Sequence, residues 1–198
     1  MDALEPSTPD HQSDDIEYYR VKVGNQTADR AAWIYRDPPP ELAALRGYVS
    51  LAWGAMEAWY EEAEQIFVHA RDPHHRVDVL ASSRHVRVVI AGETVAETNS
   101  PRLLFETHLP TRYYVPPEDV RQDVLEPTSH TTRCPYKGVA AYWSARIEDH
   151  VARNVVWSYA DPILECSKIK GLLCFFNERV DLYVDGELQP RPRTPWSE

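Results

Sequence analysis

The sequence V-V-W-S-Y-A-D-P-I-L-E-C-S-K-I-K-G-L, at residues 155–172, decides the fold because the chain carries its pattern twice. Residues 31–48 read A-A-W-I-Y-R-D-P-P-P-E-L-A-A-L-R-G-Y and align with it without a gap, at a constant offset of 124 positions. The identical pairs are Trp33/Trp157, Tyr35/Tyr159, Asp37/Asp161, Pro38/Pro162, Glu41/Glu165 and Gly47/Gly171. Agreement at residues as rare as Trp and Tyr predicts an internal duplication.

The pattern of apolar residues around both copies is that of short strands. Alternating β-branched and aromatic residues predict strands at 17–23, 85–90, 94–98, 103–106 and 112–115. Residues 172–176 are continuously apolar, which predicts a strand buried on both faces. In each copy the Asp-Pro pair predicts the start of a short helix, with Asp37 as its N-cap and Gly47 ending it. We therefore predict a mainly β fold with one short helix per copy, α+β in content.

The duplication is unequal. Several predicted strands precede the second copy, whereas only seventeen residues precede Tyr18 in the first. We predict a partial first copy at 1–64, a connector at 65–84, a complete second copy at 85–188 and an extended tail at 189–198. Residues 1–15 are acidic, contain proline and lack periodicity, which predicts a mobile tail or loop.

Composition excludes several classes of function. The 198 residues carry a net charge of −10, which disfavours a nucleic-acid partner. The three cysteines, at 134, 166 and 174, show no C-x-x-C spacing, which favours reduced thiols in a cytoplasmic protein. The absence of a long apolar run predicts no membrane partner. The spacing of His69, His74, His75 and His85 is irregular, so we predict that they lie in a solvated connector and bind no metal. We also predict no cofactor.

Four blocks of the chain resemble a known bacterial family. They are L-L-F-E-T-H-L-P-T-R-Y-Y-V-P-P-E-D-V at 103–120, T-R-C-P-Y-K-G-V-A-A-Y-W-S at 132–144, V-V-W-S-Y-A-D-P at 155–162, and L-C-F-F-N-E-R-V-D-L-Y-V-D-G-E at 173–187. Together they are similar to the domain of unknown function DUF427 in a tandem form. The resemblance implies a compact β-tent-like domain. It implies no established activity. The first copy has P-D-H-Q-S-D-D-I where the second has C-P-Y-K-G, so a site on that loop exists once.

That loop carries the predicted reactive group. The thiol of Cys134 lies next to Arg133 and close to Lys137, and neighbouring cations favour the thiolate. The predicted catalytic set is Cys134, Lys137, His108 and Glu106, because an imidazole near a carboxylate can transfer protons near neutral pH. The alternative is a small residue packed beneath a tight turn, with Lys137 in a surface ion pair.

Aromatic residues form the predicted ligand-binding set. A cage for a flat or cationic molecule would use Arg112, Tyr113, Tyr114, Tyr142, Trp157 and Tyr159. The alternative is ordinary aromatic packing.

Our leading hypothesis is a domain that binds or senses a small molecule in a cleft beside the Cys134 loop. One alternative is an enzyme with Cys134 as nucleophile, assisted by Lys137 or His108. The other is an assembly module, in which the two copies form a pseudo-dimer or the chain forms a homo-oligomer.

Overall fold

The polypeptide was analysed as a computed structural model that describes residues 4–6 and 15–197. It divides into two units, Met1–His69 and Ala70–Glu198. The predicted loop at 1–15 and the first copy's counterpart of the Cys134 loop fall almost entirely outside the described residues.

Unit 1 is built on one antiparallel sheet. Its strands are β1 (Leu4–Pro6), β2 (Ile16–Val23), β3 (Gln26–Tyr35) and β4 (Ser50–Leu51), paired in that order. A separate hairpin joins β5 (Trp59–Glu61) to β6 (Glu64–Ile66). Two 3-10 helices, Pro40–Leu45 and Trp53–Ala55, flank β4.

Unit 2 contains a larger sheet of seven strands. In the order of pairing they are β12 (Leu125–Cys134), β13 (Gly138–Ile147), β14 (His150–Ser158), β15 (Leu173–Phe175), β11 (Arg112–Val115), β10 (Arg102–Glu106) and β7 (Val77–Ala81). A second sheet pairs β17 (Glu187–Leu188), β16 (Asp181–Val184), β8 (Val86–Ile90) and β9 (Glu93–Thr98). The 3-10 helices here are Pro117–Asp119, Gln122–Val124 and Leu164–Ile169.

Both faces of the seven-stranded sheet are covered. Because side chains alternate along a strand, Leu173 and Val156 face the second sheet, whereas Cys174 and Trp157 face the other way. That opposite face packs against the helix Leu164–Ile169 through Cys166 and Ile169, both fully buried. Of residues 172–176, which the sequence predicts to be buried, 173–176 are buried and Leu172 is partly buried.

The mainly β prediction is confirmed, and the helices differ in type from the prediction. They are 3-10 segments of at most six residues, without a side-chain N-cap hydrogen bond. Asp37 instead forms an ion pair with Arg46 at 2.7 Å. Three consecutive prolines restrict the backbone at this point, and the first helical residue is Pro40. Gly47 takes φ +81°, the left-handed conformation expected after a helix.

The strand pairs of the two units share one register at the predicted offset of 124. Tyr18 pairs with Trp33 in unit 1, and Tyr142 pairs with Trp157 in unit 2. The β-bulge between Tyr19 and Val21 corresponds to the one between Trp143 and Ala145. The 3-10 helices Pro40–Leu45 and Leu164–Ile169 also correspond residue for residue.

Two segments contribute more to unit 2 than the sequence indicates. Val77–Ala81 lies within the predicted connector, yet it forms the edge strand beside β10. The tail after residue 188 contains no strand, but it packs against the unit: the Thr194 hydroxyl donates to Glu178 at 2.6 Å, and Trp196 lies 6.5 Å from the Phe176 ring. No helix in the described residues is long and apolar enough to cross a bilayer.

Candidate functional site: a buried carboxylate beside the Cys134 loop

The Cys134 loop is a tight hairpin between β12 and β13. Cys134 pairs with Gly138 at its base, and the Lys137 backbone N–H donates to the Cys134 carbonyl at 3.4 Å. Gly138 has φ +103°, and a Cβ atom there would lie 3.2 Å from the carbonyl oxygen of Asp161. The loop therefore lies against the backbone that leads into the helix Leu164–Ile169, and glycine permits that approach.

Lys137 in this loop forms an ion pair with a buried carboxylate. Lys137 Nζ lies 2.6 and 2.5 Å from the two carboxylate oxygens of Glu106, which is at the end of β10. The side chains are only 10% and 6% exposed. Each of these buried charges is stabilised by the other, because a buried charge without a partner would strongly destabilise the folded chain.

A histidine completes the arrangement. His75 Nε2 lies 3.1 Å from Glu106 Oε1, and the His75 ring stacks on Tyr136 with centroids 4.1 Å apart. Tyr136 in turn accepts a hydrogen bond at its hydroxyl from the Asp72 backbone N–H, at 2.7 Å. We call His75, Glu106, Tyr136 and Lys137 the Glu106 cluster. It joins three segments that are distant in sequence.

The three thiols differ in environment. Cys134 is partly exposed, whereas Cys166 and Cys174 are fully buried. Burial raises the pKa of Cys166 to about 11 and that of Cys174 to about 12, so both stay protonated at neutral pH. Burial also raises the pKa of Tyr159, and the nearby Cys134 adds to that shift.

The structure joins two members of the predicted catalytic set and separates another. Glu106 and Lys137 are in direct contact, and Cys134 lies on the same loop as Lys137. His108 is exposed in a left-handed turn with φ +65°. Among the described residues, no hydrogen bond or ion pair links His108 to this carboxylate; the imidazole that reaches it belongs to His75.

Most of the predicted ligand-binding set lies in the core. Five of its members are at most 9% exposed: Arg112, Tyr114, Tyr142, Trp157 and Tyr159. Arg112 forms a bidentate ion pair with Glu178, with N···O distances of 2.6 and 2.7 Å. Burial opposes the charge on Arg112, but its hydrogen bonds to Glu178 hold the Arg112 pKa above its usual value.

Tyr113 points to the opposite face of the sheet from Tyr114 and is only half-buried. It lines a cavity of about 510 Å³ together with Arg84, Phe105, Thr111 and Asp185.

Sequence reasoning missed His75 and Tyr136. His75 stands within R-D-P-H-H-R-V-D, which reads as a charged connector, so its contact with Glu106 gives no local signal. Among the other histidines, His85 lies 2.8 Å from Glu97. No group of three or more His, Cys, Asp or Glu side chains in the described part of the chain is arranged to hold a metal ion.

Comparison with known proteins gives the family. The sequence model of one protein family, the domain of unknown function DUF427, matches residues 3–62 and 78–186, which together make up most of the chain. The chain belongs to the DUF427 family. A search of curated proteins found no match. The matched ranges contain Glu106, Tyr136 and Lys137, whereas His75 lies just outside them.

Proposed function

We propose that this DUF427 protein binds a small polar molecule at the exposed side of the Glu106 cluster, beside Cys134. The observation that carries the proposal is the double contact of one buried carboxylate, with the ammonium of Lys137 and the imidazole of His75. A buried ion pair contributes little net stability, because desolvation offsets the attraction. A role in binding gives a physical reason for placing charged groups here.

The directions of the hydrogen bonds define what the site offers. The Lys137 ammonium donates to the Glu106 carboxylate, so the carboxylate oxygens are the acceptors in this cluster. His75 Nε2 must then carry the hydrogen that points at Glu106. In the neutral imidazole, Nδ1 is left as an acceptor for a hydroxyl or amide N–H of the bound molecule.

The exposure of His75 supports its assignment as the member that meets the ligand. Its side chain is 20% exposed, against 6% for Glu106. Stacking on Tyr136 fixes the plane of the ring, so the acceptor is oriented before binding. Cys134 is partly exposed and stands at the base of the hairpin that carries Tyr136 and Lys137.

A fragment titration tests the proposal. Small alcohols and amides are added to the isotopically labelled full-length chain, and amide and imidazole shifts are followed by NMR. We expect fragments to shift the signals of His75, Tyr136 and Cys134, and His75→Ala to abolish these shifts. The matched control is His74→Ala, because that neighbour is exposed and its hydrogen bond to Asp72, from the backbone N–H, does not involve the side chain. Equal binding by the His75→Ala variant contradicts the proposal.

A second candidate function is an enzyme that uses the Cys134 thiol as a nucleophile. It is favoured by the contrast between this partly exposed thiol and the two buried ones. In this version His75 takes the assisting role that was predicted for His108. The rate of alkylation by iodoacetamide, measured against pH, separates the candidates. The enzyme requires faster reaction near neutral pH than an unperturbed cysteine shows.

We also propose that the two units arose by internal duplication. Support comes from the common offset of 124 that relates their strand registers, their bulges and their 3-10 helices. Cys134, Lys137 and Glu106 belong to unit 2, so the proposed site is a property of that unit. A fragment with residues 70–198 should therefore fold and bind as the full chain does; loss of binding in a folded fragment contradicts this assignment.

A further inference from the structure

A second cavity in unit 2 has lining chemistry unlike that of the Glu106 cluster. Its volume is about 520 Å³, which is within the range of small-molecule sites. It lies along β12, β13 and β14, and it shares no lining residue with the cluster. Its polar lining includes Thr128, Ser129, Ser144, Arg146, Arg153 and Asn154.

Two β-bulges on either side of β13 build this cavity. In β12 the three residues after Pro127 lie opposite Tyr142 alone, because the register passes from Pro127–Trp143 to Thr131–Ala141. In β14 three residues lie opposite Ser144 alone. Bulges redirect side chains and are over-represented near functional sites. Here they turn Thr128 and Ser129 from one side, and Arg153 and Asn154 from the other, toward one space.

The bulges leave hydrogen-bond donors facing the cavity. Asn154 holds a left-handed conformation with φ +48°, and its backbone N–H donates to Ser144 Oγ at 3.1 Å. The Thr128 hydroxyl donates to the Asn154 side-chain oxygen at 2.8 Å, so the Asn154 amino group remains available as a donor. The Ser129 hydroxyl has no hydrogen-bond partner within the described part of the chain.

The charge of the lining is positive in a chain of net charge −10. Glu126 is the acidic lining residue, and it is neutralised by Arg146 at 2.5 and 3.2 Å. The Arg153 guanidinium has no ion-pair partner among the residues described. His130 adds a ring that can also donate.

Unit 1 supplies an internal comparison. At the same offset of 124, Arg20 stands for Ser144 and Asp29 for Arg153, and these two form an ion pair at 2.5 Å. The corresponding charges in unit 1 are therefore satisfied internally. In unit 2, Ser144 stands in place of Arg20 and Arg153 in place of Asp29, and the Arg153 guanidinium has no acidic partner among the described residues.

We propose that this cavity binds the phosphate group of a small molecule. A planar guanidinium, hydroxyls and a side-chain amide converge, which suits an oxyanion with several acceptor oxygens. The volume exceeds what phosphate alone needs, so the cavity also has room for an organic group. The shared chemistry is that of a phosphate monoester or free phosphate, and the test separates the two.

The test is a titration of the labelled full-length chain by NMR. The probes are inorganic phosphate and glycerol 3-phosphate, at fixed ionic strength. We expect glycerol 3-phosphate to shift the amide signals of Ser129, Ser144 and Asn154 at lower concentration than inorganic phosphate does. Equal affinities would assign the site to free phosphate. The absence of shifts at these amides at millimolar concentrations of both probes overturns the proposal.

Variants locate the binding. Arg153→Ala should weaken the affinity for glycerol 3-phosphate by at least about tenfold, the equivalent of one good charged contact. Arg193→Ala is the matched control, because that arginine is exposed in the tail and its loss changes the net charge equally. Should Arg153→Ala perturb folding, Arg153→Gln keeps most of the side chain and should weaken binding similarly. Unchanged affinity in a folded Arg153 variant, or equal loss in the Arg193 variant, overturns the assignment.

Discussion

Removing one partner of the buried ion pair should be far more damaging than removing both. In Glu106→Met the Lys137 ammonium, at 10% exposure, loses its only anionic partner among the described residues. Breaking a buried pair in this way costs about 3–5 kcal/mol, a large part of the roughly 5–15 kcal/mol that stabilises a typical domain. Lys137→Met leaves the carboxylate with His75 alone and should cost a similar amount. The double variant Glu106→Met/Lys137→Met buries no charge and should lie within about 1 kcal/mol of the natural chain.

The assay is equilibrium unfolding in urea, with tryptophan fluorescence and circular dichroism recorded on the same samples. Both signals are needed because two units can unfold separately. The decisive quantity is the interaction free energy from the double-variant cycle, which should be several kcal/mol in favour of the pair. If both single variants lose less than about 1 kcal/mol, the pair behaves as a solvent-screened surface contact. The inference of a dehydrated site beside Cys134 then fails.

Three further predictions follow from the same structure. In the folded chain at pH 8, iodoacetamide should label Cys134 alone, because burial raises the pKa of both other thiols; mass spectrometry showing fast labelling of a second thiol would refute this. Burial opposes ionisation of Glu178, but hydrogen bonds from Arg112 and Thr194 outweigh this effect and lower the Glu178 pKa. The resulting stability is present above the unfolded-state pKa, near 4.3, and is lost as the pH falls through the folded-state pKa. Glu178→Gln should flatten this acid dependence of the urea midpoint, and an unchanged slope would contradict it. Gly138→Ala should cost about 1 kcal/mol more than Gly186→Ala in urea unfolding, since both have positive φ but only the former faces a close backbone carbonyl; equal costs would mean that the close approach is relieved by a small shift.

Sequence patterns predicted the strands well because strand formation here depends on local alternation. Residues 112–115 form a strand with the predicted bounds. Residues 17–23 fall inside β2, which begins one residue earlier. The type of helix was not predictable from the caps. A short segment that begins after an Asp-Pro pair can form either an α-helical or a 3-10 turn. The helix Leu164–Ile169 has the 3-10 form, and its Cys166 and Ile169 pack against the sheet.

The candidate site depended on information that local patterns do not carry. Glu106 and Lys137 are 31 residues apart in sequence, and β10 is not a neighbour of β12 or β13 in the order of the seven strands, so no strand pairing predicts that they meet. The charged neighbours of His75 in the sequence predict a solvated connector. The strand Val77–Ala81 pairs with β10, and this pairing draws His75 to the carboxylate. The local sequence contains no sign of that pairing.

The most direct measurement of the central claim is a crystal structure of the full-length chain soaked with a fragment that binds in the NMR titration. We expect density for the fragment beside Cys134, with a hydroxyl or amide donor within hydrogen-bond distance of His75 Nδ1. The contacts of Glu106 to Lys137 and His75 should be intact. Density for the fragment elsewhere, or a His75 ring whose Nδ1 faces only protein atoms, would contradict it.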